Sequence, residues 1–271
     1  MNEFSLKNKV VLISGANGLI GKEISDAVAS AGATIALLDR SSLKTIMKLQ
    51  IKLRKKYNIK VKCFSCDISD ELNTKNCIKK IINNFGKIDV LINLAAIDAK
   101  VDNKKKNFKK ISFHDFPLDL WNKSIDVNIT GTFIITKLVL KEMLKKKSGN
   151  IINVASTYSL VAPNQDLYKV NLKQRFYKPI DYVATKSMIP NFTRYISTLY
   201  GKKGIRANTI VPHGVVENPS VSFKKNFSKL SPMGRLCNKK ELRGPFIFLS
   251  SEASSYMNGS LFIIDGGWTA W

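Results

Sequence analysis

The sequence predicts a doubly wound α/β fold, and three observations support this. The chain has 271 residues, of which 44% are apolar, enough to bury a large core. Seven short runs rich in Val, Ile and Leu lack polar alternation, which is typical of strands covered on both faces. The runs alternate with longer amphipathic stretches, the pattern of parallel strands joined by right-handed helical crossovers. The predicted strands are Lys9–Ser14, Thr34–Leu38, Lys60–Ser65, Asp89–Leu94, Asn150–Ala155, Ile205–Ile210 and Leu261–Ile264.

Helical periodicity fills the intervals between these strands. The predicted helices are Leu19–Ala31, Ser42–Tyr57, Glu71–Phe85, Leu120–Lys147, Tyr182–Lys202 and Lys239–Ser251. Seven strands spread over residues 1–271 leave no room for a second domain. We therefore expect one domain with a mostly parallel seven-stranded sheet and helices on both faces. Three insertions, at about residues 98–115, 157–180 and 213–238, are expected to form loops beside a substrate site.

The charge balance limits the classes of partner. Lys and Arg number 44 and Asp and Glu 20, a formal net charge of +24. The lysines occur in scattered pairs and triplets without interleaved aromatic residues, which predicts a solvated surface and no nucleic-acid interface. An attraction for anionic substrates is the other open interpretation. No apolar run approaches the roughly 18 residues of a membrane span, and a secretory signal is absent, so we expect a cytoplasmic protein that binds no membrane.

The four cysteines are expected to be reduced thiols. Cys63 and Cys66 have the C-x-x-C spacing, but no second pair or neighbouring histidine completes a zinc site. The sequence therefore predicts no metal site.

A glycine-rich loop follows the first predicted strand and leads into the first predicted helix. Its glycines have the spacing G-x-x-G-x-x-G. A tight turn and the close approach of a pyrophosphate both need residues without Cβ atoms, and the helix N-terminus offers free N–H groups. The loop thus predicts a dinucleotide site. The expected contacts are Gly15, Asn17, Gly18, Leu19, Ile20 and Gly21.

An acidic residue at the end of the second predicted strand bears on the choice of dinucleotide. Asp39 comes 18 residues after Gly21. A carboxylate there can accept hydrogen bonds from the adenosine ribose hydroxyls and would repel a 2′-phosphate. NAD is therefore favoured over NADP as the cofactor. Arg40 is the opposing observation, because a guanidinium beside that site could hold a 2′-phosphate.

A tyrosine and a lysine share one face of a later predicted helix. Tyr182 and Lys186 are four residues apart. A free tyrosine has a pKa near 10, and a fixed ammonium nearby favours the phenolate. The pair can therefore donate and accept a proton in the interconversion of an alcohol and a carbonyl. The same spacing also occurs in many helices without function.

Together these motifs resemble the short-chain dehydrogenase/reductase family over essentially the whole chain. Further segments match family motifs, among them Asp126-Val127-Asn128 and the strand that ends in Ser156. The resemblance implies a single-domain Rossmann fold and additional cofactor contacts along one edge of the sheet. These contacts are Asp67 and Ile68 near the adenine, Asn93, Ala95 and Ala96 farther along, and Pro212, His213 and Val215 beside the nicotinamide.

The resemblance also implies a mechanism. Tyr182 would give a proton to a carbonyl oxygen or take one from an alcohol. Lys186 would lower the pKa of Tyr182 and contact the nicotinamide ribose. Ser156 would orient and polarise the substrate oxygen. Asn128 would hold a water that links Lys186 to solvent, and hydride would pass between the substrate carbon and the nicotinamide.

Several features depart from the short branch of the family. The glycine spacing is that of the extended branch, whereas the other motifs and the length fit the short branch. Ser156 and Tyr182 are 26 residues apart, about twice the usual separation, so residues 164–175 must loop out beside the substrate site. His213 replaces the usual glycine and is expected to pack in a loop. Trp268 and Trp271 are expected to seal either a subunit contact or the pocket rim, and the subunit contact is preferred.

These observations predict an NAD(P)-dependent oxidoreductase acting on a secondary alcohol or its ketone. A likeness to bacterial members found with surface-glycan and flagellin-sugar genes suggests a sugar or sugar phosphate as substrate. The family implies a homotetramer or homodimer packed through the helices around Leu120–Lys147.

Three alternatives stay open. A 3-oxoacyl-(acyl-carrier-protein) reductase could dock its acidic carrier on the basic surface, but it would use NADPH, which Asp39 opposes. A non-catalytic nucleotide-binding protein is favoured only by the charge. An extended-branch epimerase or dehydratase is favoured only by the glycine spacing.

Overall fold

A seven-stranded parallel sheet forms the centre of the molecule and confirms the predicted fold class. The structure, a computed structural model, describes residues 3–98, 111–174 and 176–271. The strands of the sheet run in the order β3-β2-β1-β4-β5-β8-β9, and every neighbouring pair is parallel. They are β1 (Val10–Ser14), β2 (Thr34–Asp39), β3 (Val61–Ser65), β4 (Val90–Asn93), β5 (Gly149–Val154), β8 (Ile205–Pro212) and β9 (Leu261–Ile264). Each lies within two residues of its predicted bounds.

Helices cover both faces of the sheet, as in a Rossmann fold. Those of the described ranges are α1 (Leu19–Ser30), α2 (Leu43–Tyr57), α3 (Glu71–Phe85), α4 (Leu118–Ser124), α5 (Thr132–Lys145), α6 (Ile180–Tyr200), α7 (Val221–Leu230) and α8 (Arg243–Ser250). One core cluster joins the sheet to α1, α2 and α8, and a second joins it to α3, α5 and α6. The uninterrupted apolar strands are explained by this double cover: all five residues of β1 are buried.

The strand order reverses between β1 and β4. From β1 the chain moves outward to β2 and β3, and then it returns across the sheet to β4, β5, β8 and β9. In such a sheet, ligands bind outside the carboxyl ends of the strands at the reversal point. The fold therefore opens a crevice beside the glycine-rich loop.

The predicted helix Leu120–Lys147 is made of three segments. A π-helix, Ile125–Gly131, lies between α4 and α5. Its wider turns change the direction of the side chains that follow, and such segments are frequent at functional sites. Asn128 lies within it.

The expected loops contain regular structure that the sequence pattern did not predict. Residues Gln165–Tyr168 form a 3-10 turn, and β6 (Lys169–Val170) pairs with β7 (Lys173–Gln174) as a small antiparallel hairpin. Helix α7 lies inside the expected loop 213–238. Within the expected loop 98–115, residues 99–110 lie outside the described residues, as does Arg175 of the second insertion.

The hairpin insertion is fastened to α7. The Asn226 side-chain amide donates to the backbone carbonyls of Asp166, Leu167 and Lys169, at 3.1, 3.3 and 3.0 Å. The insertion and α7 therefore form one wall of the crevice. Across the described ranges, no helix is long and apolar enough to cross a membrane.

Candidate active site

A crevice of about 680 Å³ lies at the carboxyl ends of the central strands. Its inner end is the glycine-rich loop, and its outer end is the wall made by the hairpin insertion and α7. We call these the cofactor half and the substrate half. Twelve predicted site residues line it: Gly15, Gly18, Leu19, Ile20, Gly21, Ala96, Ser156, Tyr182, Lys186, Pro212, His213 and Val215.

The glycine-rich loop is held tightly against the following loops. Gly15 has a φ of +69°, and a Cβ atom there would lie 2.7 Å from the backbone N and Cα of Ala95. A Cβ atom on Gly21 would lie 2.1 Å from the carbonyl oxygen of Gly15. Larger residues would therefore displace the backbone at both positions. The N-terminus of α1 remains directed at the crevice, so the loop fits a bound pyrophosphate.

Asp39 organises the cofactor half beside that loop. One carboxylate oxygen accepts from the backbone N of Asn17 at 3.0 Å, and the other accepts from the backbone N and hydroxyl of Ser41 at 2.9 and 2.6 Å. The Asn17 amide also donates to the Ser41 hydroxyl at 3.2 Å. Asn17 is thus bonded to Asp39 and Ser41 and is not part of the crevice lining. A carboxylate offers about four acceptor positions, so Asp39 retains capacity for a ligand hydroxyl.

Arg40, Asp67 and Ile68, three predicted cofactor contacts, lie outside the crevice lining. Arg40 is exposed, and Ile68 is buried against Gly131. Hydrogen bonds from Ser69 hold the pKa of Asp67 below its usual value, and the Arg40 charge acts in the same direction. Both charged residues are therefore available to a ligand at this edge.

The Asn93 side chain is hydrogen-bonded to other buried side chains. Its side-chain amide donates to Thr136 at 2.9 Å and to the Asn153 side chain at 2.8 Å. Asn153 continues this buried chain to Thr193 at 2.9 Å. The Asn93 side chain is therefore directed between the strands. The backbone of Ala95, another predicted cofactor contact, lies against Gly15 of the glycine-rich loop.

Ser156, Tyr182 and Lys186 come together at the middle of the crevice. Ser156 follows β5, whereas Tyr182 and Lys186 lie on the first turns of α6. Ser156 and Tyr182 both line the crevice, and Ser156 is close enough to the phenol to act on its pKa. The Lys186 Nζ atom lies 5.9 Å from the centroid of the Tyr182 ring and donates to the Val154 carbonyl at 2.7 Å. The long insertion between Ser156 and Tyr182 thus loops out without separating them.

Burial dominates the ionisation of this group. It raises the pKa of Tyr182, and the Asp98 carboxylate raises it further, while the Ser156 hydrogen bond opposes both. The Lys186 ammonium donates to the Val154 carbonyl, and the expected lowering of the Tyr182 pKa by Lys186 stays a prediction. Burial lowers the pKa of Lys186 itself to about 8. Tyr182 is consequently a neutral phenol near pH 7, the form that donates a proton.

Asn128 fixes the backbone behind this group. Its side chain accepts from the Ile97 N at 2.7 Å and donates to the Ile97 carbonyl at 3.0 Å and to the Thr185 hydroxyl at 3.0 Å. The π-helix therefore connects the loop after β4 to α6. In this arrangement Asn128 supports Lys186 through its chain neighbour Thr185.

His213 packs within an aromatic cluster, in line with the expected loop packing. Its ring centroid lies 4.5 Å from that of Trp268 and 5.2 Å from that of Phe227. Its Nδ1 atom is 2.6 Å from the Thr157 hydroxyl, and burial lowers its pKa to about 4. The expected subunit contact of Trp268 is wrong, because only 8% of that residue is exposed and its own chain covers it.

The substrate half contains functional candidates that the sequence did not reveal. Lys178 lies with its Nζ atom 3.9 Å from the centroid of the Tyr182 ring and pairs with Asp98 at 2.6 Å. The hydroxyls of Tyr158 and Tyr168 are 3.2 Å apart on the same side. The spacing of Lys178 and Tyr182 is that of one helical turn, but Pro179 interrupts the pattern and α6 begins only at Ile180.

The donor set fits a nicotinamide dinucleotide. The glycine loop supplies space and free N–H groups, Asp39 supplies an acceptor, and Lys186 supplies a buried cation beside Tyr182. Among the residues with described positions, no three His, Cys, Asp or Glu side chains come together as a metal site. All four cysteines are free thiols.

Comparisons with known proteins cover almost the whole chain. A family model described as enoyl-(acyl carrier protein) reductase matches residues 15–269. The chain is 30% identical over 275 residues to a 2-dehydro-3-deoxy-D-gluconate 5-dehydrogenase of Pseudoalteromonas atlantica, covering 99% of this chain and 98% of that protein. It is 27% identical over 270 residues to a 3-oxoacyl-[acyl-carrier-protein] reductase of Aquifex aeolicus, covering 98% and 99%.

A solved structure extends the likeness to three dimensions. A gluconate 5-dehydrogenase from Burkholderia cenocepacia in complex with NADP and tartrate superposes with a TM-score of 0.85 at 26% identity, covering 100% of this chain and 98% of that one. The matched region runs from the glycine-rich loop through Ser156, Tyr182 and Lys186 to the C-terminal aromatic cluster. The chain therefore belongs to the short-chain dehydrogenase/reductase family of oxidoreductases, which bind a nicotinamide cofactor.

Proposed function

We propose that the protein interconverts a secondary alcohol and a ketone on a sugar-derived substrate, with Tyr182 as the proton donor and acceptor. The observation that carries the proposal is the meeting of Ser156, Tyr182 and Lys186 in the middle of one crevice. A bound nicotinamide dinucleotide would supply the hydride chemistry, held by the glycine loop, Asp39 and Lys186.

The three side chains divide the work. The Ser156 hydroxyl donates to the substrate oxygen and stabilises the charge that develops on it. The protonated phenol of Tyr182 gives its proton to that oxygen during ketone reduction and takes one back during alcohol oxidation. Lys186 provides a positive charge that favours the phenolate once it forms. Asn128 keeps α6 in place through Thr185.

The aromatic substrate half supports a polyhydroxylated substrate of modest size. The tyrosine hydroxyls at positions 158 and 168 can donate to ligand hydroxyls, and the surrounding rings can pack against carbon–hydrogen faces. A relative acts on 2-dehydro-3-deoxy-D-gluconate, and the structural neighbour is a gluconate 5-dehydrogenase. We include sugar phosphates in the proposal. A place in surface-glycan biosynthesis stays a prediction.

Asp39 supports NAD as the preferred cofactor. Its carboxylate would lie near the 2′ position of the adenosine ribose and disfavour a phosphate there. The neighbour that holds NADP gives the opposing precedent, and Arg40 could supply the phosphate contact. Measuring the affinity of the protein for NAD and for NADP decides which coenzyme is preferred.

We propose that the protein acts as a homo-oligomer. Large apolar side chains are exposed on α5 and α6, among them Phe133 at 49%, Tyr195 at 65% and Leu199 at 47%. Burying these faces against another copy would remove apolar surface from water. Either the expected homodimer or the expected homotetramer would bury these faces.

A second candidate is reduction of a 3-oxoacyl group carried on an acyl carrier protein. The net charge of +24 would attract an acidic carrier, and one curated relative has this activity. The tyrosine-lined substrate half favours the smaller, polar substrate.

Coenzyme-linked turnover tests the proposal. Aldonates, alditols, their phosphates and a 3-oxoacyl thioester are assayed with NAD and NADP in both directions, beside Ser156→Ala as an inactive reference. We expect turnover of a sugar-derived alcohol or ketone that falls at least 100-fold in the variant. Turnover of the thioester alone would favour the second candidate. Turnover of none, with the coenzyme bound, would favour a non-catalytic nucleotide-binding protein.

A further inference from the structure

The substrate half contains a partly enclosed cation that is paired with an exposed carboxylate. The side chain of Lys178 is 10% exposed, and its Nζ atom contacts both carboxylate oxygens of Asp98 at 2.6 and 2.7 Å. The Asp98 side chain is 42% exposed at the edge of the crevice. The ammonium is therefore enclosed, whereas its counter-charge reaches solvent.

The position of Lys178 is set by the hairpin insertion. Its backbone N donates to the Gln165 side chain at 2.9 Å, and the Gln174 amide donates to the Gln165 carbonyl at 3.0 Å. The ammonium lies over the Tyr182 ring, 3.9 Å from the ring centroid. A group bound to Lys178 would thus be placed about one aromatic ring from the phenol that handles the proton.

We infer that Lys178 determines specificity for a substrate that carries a carboxylate a few carbon atoms from the reacting carbon. This inference rests on the proposed function. The contact with Asp98 already demonstrates that a carboxylate can bring two oxygens to this ammonium. Because Asp98 is exposed, it can turn to water while a substrate carboxylate takes its place. The two tyrosine hydroxyls nearby would receive the hydroxyl groups of the same molecule.

A carboxylate suits the site better than a phosphate. When Asp98 turns to water, the Lys178 ammonium balances the single charge of a carboxylate, whereas a phosphate dianion carries a second negative charge that this ammonium leaves unbalanced. A neutral polyol would leave Lys178 paired with Asp98 and gain nothing from it. The selectivity for acid over neutral substrate should therefore depend on Lys178.

The test compares matched substrates on matched variants. Four- to six-carbon aldonates, the corresponding alditols and the alditol phosphates are assayed with the wild-type protein, Lys178→Gln, Lys178→Arg and Asp98→Asn. Lys173→Gln is the control, since Lys173 lies exposed on the same hairpin and outside the crevice lining. Coenzyme binding is measured on each variant as a test of folding.

We expect the wild-type protein to prefer the aldonate. Lys178→Gln should lower the ratio of kcat/KM for acid over neutral substrate at least 30-fold, mainly through a higher KM for the acid. Lys178→Arg should keep the ratio within about fivefold of wild type. Asp98→Asn should lower the KM for the acid two- to fivefold, because the competing carboxylate is gone.

The remaining outcomes separate this inference from the proposed function. A wild-type preference for alditols or phosphates, or a ratio unchanged within threefold in Lys178→Gln, would overturn the role of Lys178 and leave the oxidoreductase in place. An equal loss in Lys173→Gln would also overturn it. Absence of turnover with every compound would contradict the proposed function itself.

Discussion

The two halves of the crevice are built by different means. The cofactor half is made of backbone and small residues, with Gly15 and Gly21 pressed against neighbouring main chain. The substrate half is made of large side chains, in which His213, Phe227 and Trp268 stack on one another. A backbone cradle is fixed by local sequence and receives one kind of ligand. A wall of side chains depends on distant segments and can vary with the substrate.

The largest expected effect is on the stability of the substrate half. Trp268→Ala removes a residue that is 8% exposed and whose ring centroid lies 5.1 Å from that of Phe227. It should lower the free energy of unfolding by about 3–5 kcal/mol. Trp271→Ala is the control, because Trp271 is 82% exposed and its loss should change stability by about 0.5 kcal/mol or less. Urea unfolding measures the free energy of unfolding of both variants. Equal stability of the two would contradict a stabilising role for the buried Trp268 in the substrate half.

In the cofactor half, a larger side chain should weaken coenzyme binding through a steric clash. In Gly21→Ala the new Cβ atom would lie 2.1 Å from the Gly15 carbonyl oxygen, so the loop must shift. The coenzyme Kd, measured by fluorescence titration, should rise at least 100-fold, about 2.7 kcal/mol. Gly244→Ala is the matched control, since a Cβ atom there meets nothing within 4 Å. Similar Kd values for the two variants would show that the loop does not hold the pyrophosphate.

A smaller change should follow from the charge at the ribose. Asp39→Asn removes the carboxylate but can keep the loop hydrogen bonds from Asn17. The ratio of NADP to NAD affinity should rise about 10- to 100-fold, or about 1.4–2.7 kcal/mol. Binding titrations with both coenzymes measure it, with the exposed Asp119→Asn as control. An unchanged ratio would show that Asp39 does not determine the preference for NAD over NADP.

The smallest expected effect is that Lys186 costs stability. Burial lowers its pKa from the usual 10.5 to about 8, so the unfolded chain binds more protons between these two values. Stability therefore rises with pH from about 8 to 10.5, and below 8 the charged lysine is destabilising. Without added coenzyme, Lys186→Met should be about 1 kcal/mol more stable than wild type at pH 7, after the loss of its bond to Val154. The difference should shrink by pH 10; a constant difference would contradict this.

The sequence predicted the cofactor half better than the substrate half, and the reason is physical. Strands covered on both faces are uninterrupted apolar runs, and the glycine loop is a contiguous motif, so both can be read locally. Helix α7 was missed because its segment is mostly polar, with Phe227 its one buried residue. The hairpin was missed because it depends on contacts with Asn226, about 60 residues away.

The candidate site divides in the same way. Tyr182 and Lys186 could be predicted from their spacing on one helix, whereas Ser156 was predicted from the family resemblance. The direction in which the Tyr182 pKa shifts could not be predicted, since it depends on burial and on Asp98. Lys178 could not either, because its orientation is set by Gln165 in the insertion.

The central claim is that Tyr182 transfers the proton. Its most direct test is the turnover of Tyr182→Phe with the best substrate and coenzyme, measured alongside the coenzyme Kd. We expect a kcat about 10²- to 10⁴-fold below wild type, with a Kd within about threefold, because only the phenol oxygen is lost. A kcat within tenfold of wild type, with the coenzyme still bound, would contradict the assignment.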